Sequence, residues 1–129
     1  MKARYNISTK DKVEVSYCAF ILNTLISIGL SPSCKGTYYI RDIILIALKK
    51  YNADINLKIL QRQLAISKHI SQNTIKTNID YAFKYHDAKK AQSNFKKIFN
   101  IEYDTYFITA KTIVSLLVSQ IYNMKNEEK

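Results

Sequence analysis

The residues that interrupt regular backbone structure are confined to one short window of this chain. Both glycines, Gly29 and Gly36, and the only proline, Pro32, lie within eight residues of a sequence of 129. Folds built from many short strands need glycine, proline or Asn-Gly at their tight turns. A chain that lacks these residues elsewhere is therefore expected to be all-α.

Apolar residues recur at three- and four-residue steps in six segments, which is the pattern of amphipathic helices. The predicted helices span residues 12–28, 38–51, 57–66, 73–85, 88–99 and 109–123. Side chains suited to N-cap positions precede three of them: Thr37 the second helix, Asn56 the third, and Ser71 or Asn73 the fourth. Gly29 is expected to end the first helix, and Gly36 to allow a sharp turn into the second.

The length and composition predict one domain without a membrane span or a metal site. At 129 residues with 47% apolar content, the chain suits a single core. Polar residues interrupt the apolar stretch at 15–30, which is also shorter than the ~20 residues that a span needs. Cys18 and Cys34 form no CxxC pair, so they are interpreted as reduced thiols of a cytoplasmic protein, with no metal and no cofactor.

The net charge of +10 favours a polyanionic partner. The charge is concentrated in residues 49–97, which contain eleven lysines and arginines but only three aspartates. Nucleic acid is one partner that a strongly basic domain of this kind suits. A lysine-rich surface without a specific partner has the same composition, so charge alone does not decide between these alternatives.

The third and fourth predicted helices have the proportions of a helix-turn-helix. The polar segment ISKHIS joins them, and Ala65 is the small residue expected to pack against the second helix of the pair. In that arrangement the fourth helix enters the major groove of DNA. The residues expected to read bases are Asn73, Lys76, Thr77, Asp80, Tyr81 and Lys84.

A second group of residues is expected to contact DNA phosphates. Its members carry positive charge or hydrogen-bond donors, and they are Lys35, Arg41, Arg62, Lys68, His69, Ser71, Lys89 and Lys90. Asp80 does not fit this chemistry, because a carboxylate repels phosphate. It is either an acceptor for a cytosine amine or the i+4 partner of Lys76 or Lys84 on an exposed helix.

The segment IGLSPSCKGTYYIRD resembles Ile-Gly-Val-x-x-x-x-Lys-Gly-x-x-Tyr-Leu-Arg-Glu, found in the C-terminal effector domain of the stage-zero sporulation response regulator family. The resemblance continues through LQRQLAISKHISQNTIKTNIDYAFKYH and TAKTIVSLLVSQI, so it covers residues 24–123. Residues 1–23 are then a lead-in and the start of the first helix, and residues 124–129 a charged tail. The matching positions are Ile28, Gly29, Leu30, Lys35, Gly36, Tyr39, Ile40, Arg41 and Asp42.

This resemblance implies a six-helix domain that binds promoter double-stranded DNA, as a homodimer or as tandem copies, and contacts RNA polymerase. The family's base-reading positions fall on Lys76, Thr77, Asp80 and Tyr81, where the family has a glutamate, two arginines and a histidine. The loss of both arginines implies an altered DNA sequence specificity. Only about 23 residues precede the match, too few for the family's receiver domain, so the sequence is either an excised effector domain or a stand-alone homologue. The starting Met1 and the divergent fourth helix favour the stand-alone protein.

Two further functions compete with DNA reading. A non-catalytic interaction module would keep the fold and lose specific DNA readout, as Asp80 and the missing arginines suggest. An enzyme is not expected, because His69 and His86 have no carboxylate or cysteine at a catalytic spacing. No catalytic residue is therefore assigned.

Overall fold

The computed structural model describes residues 9–49 and 55–127, with side chains for residues 17–49 and 55–124. Within these ranges the chain is all-helical and contains no strand, which confirms the predicted fold class. A short 3-10 turn, Thr105–Phe107, precedes the last helix. The helices are α1 (Thr9–Ser27), α2 (Lys35–Lys49), α3 (Leu57–Lys68), α4 (Gln72–Lys84), α5 (Ala88–Phe99) and α6 (Ala110–Glu127).

Helix α2 is the centre of the fold. It packs against α1, α3, α4 and α6. Its residues Ile40, Ile43 and Ile44 are completely buried, and the remaining side chains of the IILIAL segment are buried or half-buried. The strongly apolar composition of this segment thus reflects burial on most sides, as its sequence predicts.

Helix α1 ends at Ser27, just before Gly29, the residue predicted to stop it. Gly29 has a φ of +106°, and the amide of Leu30 donates to the carbonyl of Leu25 at 3.0 Å. This hydrogen bond satisfies a carbonyl that the last turn of the helix would otherwise leave unpaired. A residue with a side chain adopts such a φ only with strain, so glycine is required at this position.

Helix α2 begins earlier than its sequence pattern suggests. Its first residue is Lys35, so Thr37 lies inside the helix and the prediction that it is the N-cap is wrong. The Thr37 hydroxyl instead donates to the carbonyl of Ser31 at 2.7 Å, and the Tyr38 hydroxyl donates to the carbonyl of Pro32 at 2.6 Å. These bonds fasten the connecting loop to the first turn of α2.

Both glycines allow two backbone segments to approach closely. A Cβ atom at Gly36 would lie 2.1 Å from the carbonyl oxygen of Asn78 in α4, and one at Gly29 would lie 2.3 Å from that of Asp87. The Asp87 amide also donates to the Gly29 carbonyl at 2.8 Å. The expected sharp turn at Gly36 is wrong, since this residue is helical; it is the contact point between α2 and α4.

The remaining helices lie close to their predicted positions. Asn56 caps α3 and Ser71 caps α4, as two of the predictions state, and Asp87 caps α5. Helix α6 continues to Glu127, into the segment expected to be a charged tail. The predicted end of the second helix at residue 51 and residues 1–8 of the predicted lead-in lie outside the described residues.

A cluster of aromatic rings anchors α5. Phe95 is completely buried. Its ring centroid lies 5.0 Å from that of Phe99, 6.0 Å from that of Tyr103 and 5.8 Å from that of Phe107. Such ring pairs add to the free energy gained from burial alone. The opposite side of α5, which carries four lysines, is therefore held outward.

No helix in residues 9–49 and 55–127 is long and apolar enough to cross a membrane. Cys18 and Cys34 are half-buried and form no disulfide with each other. Across the same part of the chain, no group of three histidine, cysteine or carboxylate side chains is positioned to hold a metal ion.

Candidate nucleic-acid interface

A three-residue turn joins α3 to α4 and fixes the direction of the second helix. His69 adopts a left-handed conformation with φ of 59°, and its amide donates to Ile66. The amide of Ile70 donates to the carbonyl of Ala65 at 3.1 Å. Ser71 then caps α4, since its Oγ accepts from the amide of Thr74 at 3.0 Å. Every residue of the turn thus contributes to ending α3 or to starting α4.

Replacing Ser71 with alanine is expected to lower the free energy of unfolding by about 1 kcal/mol, because the first turn of α4 loses its side-chain acceptor. Urea denaturation followed by circular dichroism measures this change. Ser67→Ala is the matched control, since Ser67 is an exposed residue inside α3. Equal stabilities of the two variants would contradict a capping function for Ser71.

Helix α4 buries one face and exposes the other. Ile75, Ile79, Ala82 and Phe83 form the buried face, which packs against α2 and α3. The predicted base-reading side chains lie on the opposite face, and all of them are exposed: Asn73, Lys76, Thr77, Asp80, Tyr81 and Lys84. The structure therefore brings this whole group together on one solvent-facing surface, which we call the α4 outer face.

Asp80 forms an ion pair with Lys76 on the α4 outer face. The Lys76 ammonium lies 2.7 Å from the Asp80 carboxylate, and both side chains are about 60% exposed. The structure thus selects Lys76 rather than Lys84 as the i+4 partner that the sequence left undecided. An exposed pair of this kind contributes ~0.3–0.5 kcal/mol to stability. Its main consequence is to neutralise the middle of the face.

Two tyrosines extend the α4 outer face toward its C-terminal end. The rings of Tyr81 and Tyr85 have their centroids 4.7 Å apart, and the Lys84 ammonium lies 5.4 Å from the Tyr85 ring centroid. Both rings are more than half exposed. Tyr85 is absent from the predicted site residues, although its i+4 spacing from Tyr81 is visible in the sequence.

Two of the predicted phosphate-contacting cations already have carboxylate partners. The guanidinium of Arg41 lies 2.9 Å from Asp42 and 5.3 Å from the ring centroid of Tyr38. The ammonium of Lys68 lies 3.3 Å from the second oxygen of Asp42. Asp42 therefore links α2 to the end of α3 through Lys68, whereas its pair with Arg41 lies within α2.

The other predicted phosphate-contacting side chains are exposed. Arg62 lies on α3, His69 and Ser71 lie in the turn before α4, and Lys35 begins α2 beside Gly36. Lys89 and Lys90 lie in the first turn of α5, directly after its N-cap, Asp87. Within the described residues, the side chains of Lys35, Arg62, Lys89 and Lys90 form no ion pair, so their charges are available to an external anion.

Positive charge dominates the exposed side chains of α3, α4 and α5. All lysines and arginines of these helices are exposed: Lys58, Arg62, Lys68, Lys76, Lys84, Lys89, Lys90, Lys96 and Lys97. The acidic side chains of the same stretch, residues 57–99, are Asp80 and Asp87. Asp80 is paired with Lys76, and Asp87 caps α5. Such a surface attracts phosphate groups over distances of about 10 Å at moderate salt.

Comparison of the chain with known protein families, with curated proteins and with solved structures finds no match.

Proposed function

We propose that this chain is a DNA-binding transcription regulator in which α3 and α4 act as a helix-turn-helix. The observation that carries the proposal is the α4 outer face, a continuous exposed surface of polar and aromatic side chains on a helix that is buried along its other side. The regulator is related to the sporulation effector domain that its sequence resembles, and it acts in the cytoplasm.

The dimensions of α4 suit the major groove of DNA. A helix of 13 residues is about 20 Å long, and the groove is about 12 Å wide and admits one helix. The three-residue turn and the capped start of α4 hold the helix at a fixed angle to α3. Contacts of α2 with the other side of α4 leave the outer face free for base edges.

The unpaired cations are suited to bind the DNA backbone. Arg62 lies on the helix before the turn, and Lys89 and Lys90 lie just after the end of α4. Phosphate contacts at both ends of an inserted helix set its register on the duplex but carry no sequence information. The reading of sequence is then left to the α4 outer face. Contact with RNA polymerase, and binding as a homodimer or as tandem copies, belong to the same proposal.

Replacing Thr77 or Tyr81 with alanine is expected to reduce the preference for a specific site over random DNA by about tenfold, because each lost base contact removes ~1–3 kcal/mol of discrimination. The site is first selected from a random pool of double-stranded DNA. Fluorescence anisotropy at two salt concentrations then measures both affinities. Ser119→Ala, on the exposed side of α6, is the control. A protein that enriches no sequence from the pool would refute the proposal.

Exposed apolar residues on α3 favour a second candidate function, a protein-interaction module without specific DNA readout. Ile59 and Ile66 are 47% and 68% exposed, and their spacing of seven residues places them on one side of the helix. A stoichiometric partner recovered from nuclease-treated lysate supports this candidate if Ile59→Ser with Ile66→Ser abolishes recovery. Thr77→Ala would leave that recovery unchanged.

A further inference from the structure

The α4 outer face contains a stripe of uncharged side chains. Asn73, Thr77 and Tyr81 follow one another at four-residue steps, a spacing that places them on the same side of a helix. All three are exposed, and Tyr81 is 56% exposed. Among the described residues, neither the Asn73 amide nor the Thr77 hydroxyl has a hydrogen-bond partner. We call this group the neutral stripe.

The residues beside the neutral stripe are poorly suited to read guanine. Guanine is most often read by an arginine or a lysine that binds its O6 and N7 atoms. Helix α4 contains no arginine. Its lysine beside the middle of the stripe, Lys76, is held 2.7 Å from the Asp80 carboxylate, so a guanine contact would have to break that ion pair. Lys84 is the last residue of the helix and lies over Tyr85.

The neutral stripe carries the chemistry that recognises adenine and thymine. An asparagine amide matches the N6 donor and the N7 acceptor of adenine, and a threonine methyl or an aromatic ring packs on the thymine methyl. Along the helix axis, Asn73 and Tyr81 are separated by about 12 Å, which corresponds to between three and four base-pair steps of about 3.4 Å. The stripe is long enough to read a short run of base pairs.

We propose that the neutral stripe reads a run of about four A·T pairs, with Asn73 on an adenine and with Thr77 and Tyr81 on thymine methyl groups. This inference rests on the proposed DNA-binding function and names the class of sequence that the site takes. The unpaired cations around α4 add affinity for any duplex, so the base preference comes from the stripe itself.

The test replaces each thymine of the selected site with uracil, which removes the C5 methyl and keeps the base pairing. The selected core is expected to be A·T-rich. Each substitution at a contacted thymine is expected to weaken binding about fourfold, the effect of exposing one buried methyl group. In Tyr81→Ala, uracil at the thymine contacted by Tyr81 is expected to have no further effect, because the methyl has already lost its partner.

In Asn73→Ala, the ratio of affinities for adenine over guanine at one position is expected to fall about tenfold. Circular dichroism melting curves establish that each variant is folded. A guanine-containing core that binds specifically would overturn this inference while leaving the proposed function intact. An A·T-rich core that binds equally well with uracil at every position would also overturn it, since the preference would then come from DNA shape. Failure to enrich any sequence would refute the proposed function and this inference together.

Discussion

Replacing Gly36 with alanine is expected to lower the free energy of unfolding by about 3 kcal/mol. The added Cβ would lie 2.1 Å from the carbonyl oxygen of Asn78 and 2.9 Å from the Cα of Ile79. Both are backbone atoms, so no side-chain rotation relieves the overlap, and α2 and α4 have to separate. On an open helix surface the same change stabilises by up to ~1 kcal/mol. The close contact therefore reverses the sign of the effect.

Urea denaturation followed by circular dichroism measures the loss of stability in Gly36→Ala. The control is Ser67→Ala, which adds no atom to a contact between helices and is expected to stay within ~0.5 kcal/mol of the natural protein. An alanine variant as stable as the natural protein would contradict the close approach of α2 to α4.

The Gly36→Ala substitution is also expected to affect the proposed DNA interface, because α2 packs against the buried side of α4. Asn78 lies in the middle of α4, directly after Thr77 and two residues before Asp80. A shift of the backbone at this point moves the neutral stripe relative to the cations of α3 and α5. We therefore expect the folded fraction of Gly36→Ala to lose specific DNA affinity as well.

The helices themselves are largely predictable from local patterns. Buried side chains on α4 recur at the three- and four-residue steps that the sequence displays, and polar caps mark the beginnings of α3 and α4 at Asn56 and Ser71. Such signals involve residues within one turn of each other, so a single sequence contains them. The exposure of the proposed base-reading side chains follows from the same periodicity.

The start of α2 shows where local patterns fail. Thr37 has the side chain of an N-cap, yet its hydroxyl binds the carbonyl of Ser31, six residues earlier, and the helix begins at Lys35. Gly36 likewise has the composition of a turn residue, but it contacts Asn78, more than 40 residues later. A sequence shows which residue lacks a Cβ; it does not show which backbone occupies the vacated space.

The ion pairs of the candidate interface are likewise of two kinds: pairs within one helix, which the sequence shows, and pairs between helices, which it does not. The Lys76 to Asp80 pair spans one helical turn and is visible in the sequence as an i+4 spacing. The link from Asp42 to Lys68 joins two helices, so the phosphate contact expected of Lys68 takes no account of a partner 26 residues away. Long-range pairs of this kind determine which cations remain available to an external anion such as the proposed DNA.

The first turn of α5 is expected to supply the strongest backbone contacts of the proposed complex. Lys89 and Lys90 are exposed, and their ammonium groups form no ion pair with the side chains of residues 17–49 and 55–124. Their amides donate to the Asp87 carboxylate at 3.0 and 3.3 Å, and the Asp87 amide donates a hydrogen bond to the Gly29 carbonyl. The turn is thus held rigidly beside the C-terminal end of α4.

Replacing Lys89 and Lys90 together with alanine is expected to weaken DNA binding about 60-fold at 0.1 M salt. Each lost phosphate contact lowers the slope of log affinity against log salt concentration by about 0.9, so the slope is expected to fall by about 1.8. Specific and random duplexes are expected to lose affinity equally, because phosphate contacts carry no sequence information. Fluorescence anisotropy over a series of salt concentrations measures both quantities.

The matched control is the double variant Lys96→Ala with Lys97→Ala, which removes the same charge from the last turn of α5. Lys96 is paired with Glu102, and the two lysine pairs are separated by about 10 Å along the helix axis. Charges at that distance act through a screened field, so the control is expected to lose much less affinity and to keep its salt slope. Equal losses in the two double variants would mean that DNA senses only the net charge of the domain. A selective loss at Lys89 and Lys90 would instead place the phosphate backbone against the corner that Gly29 and Asp87 hold together.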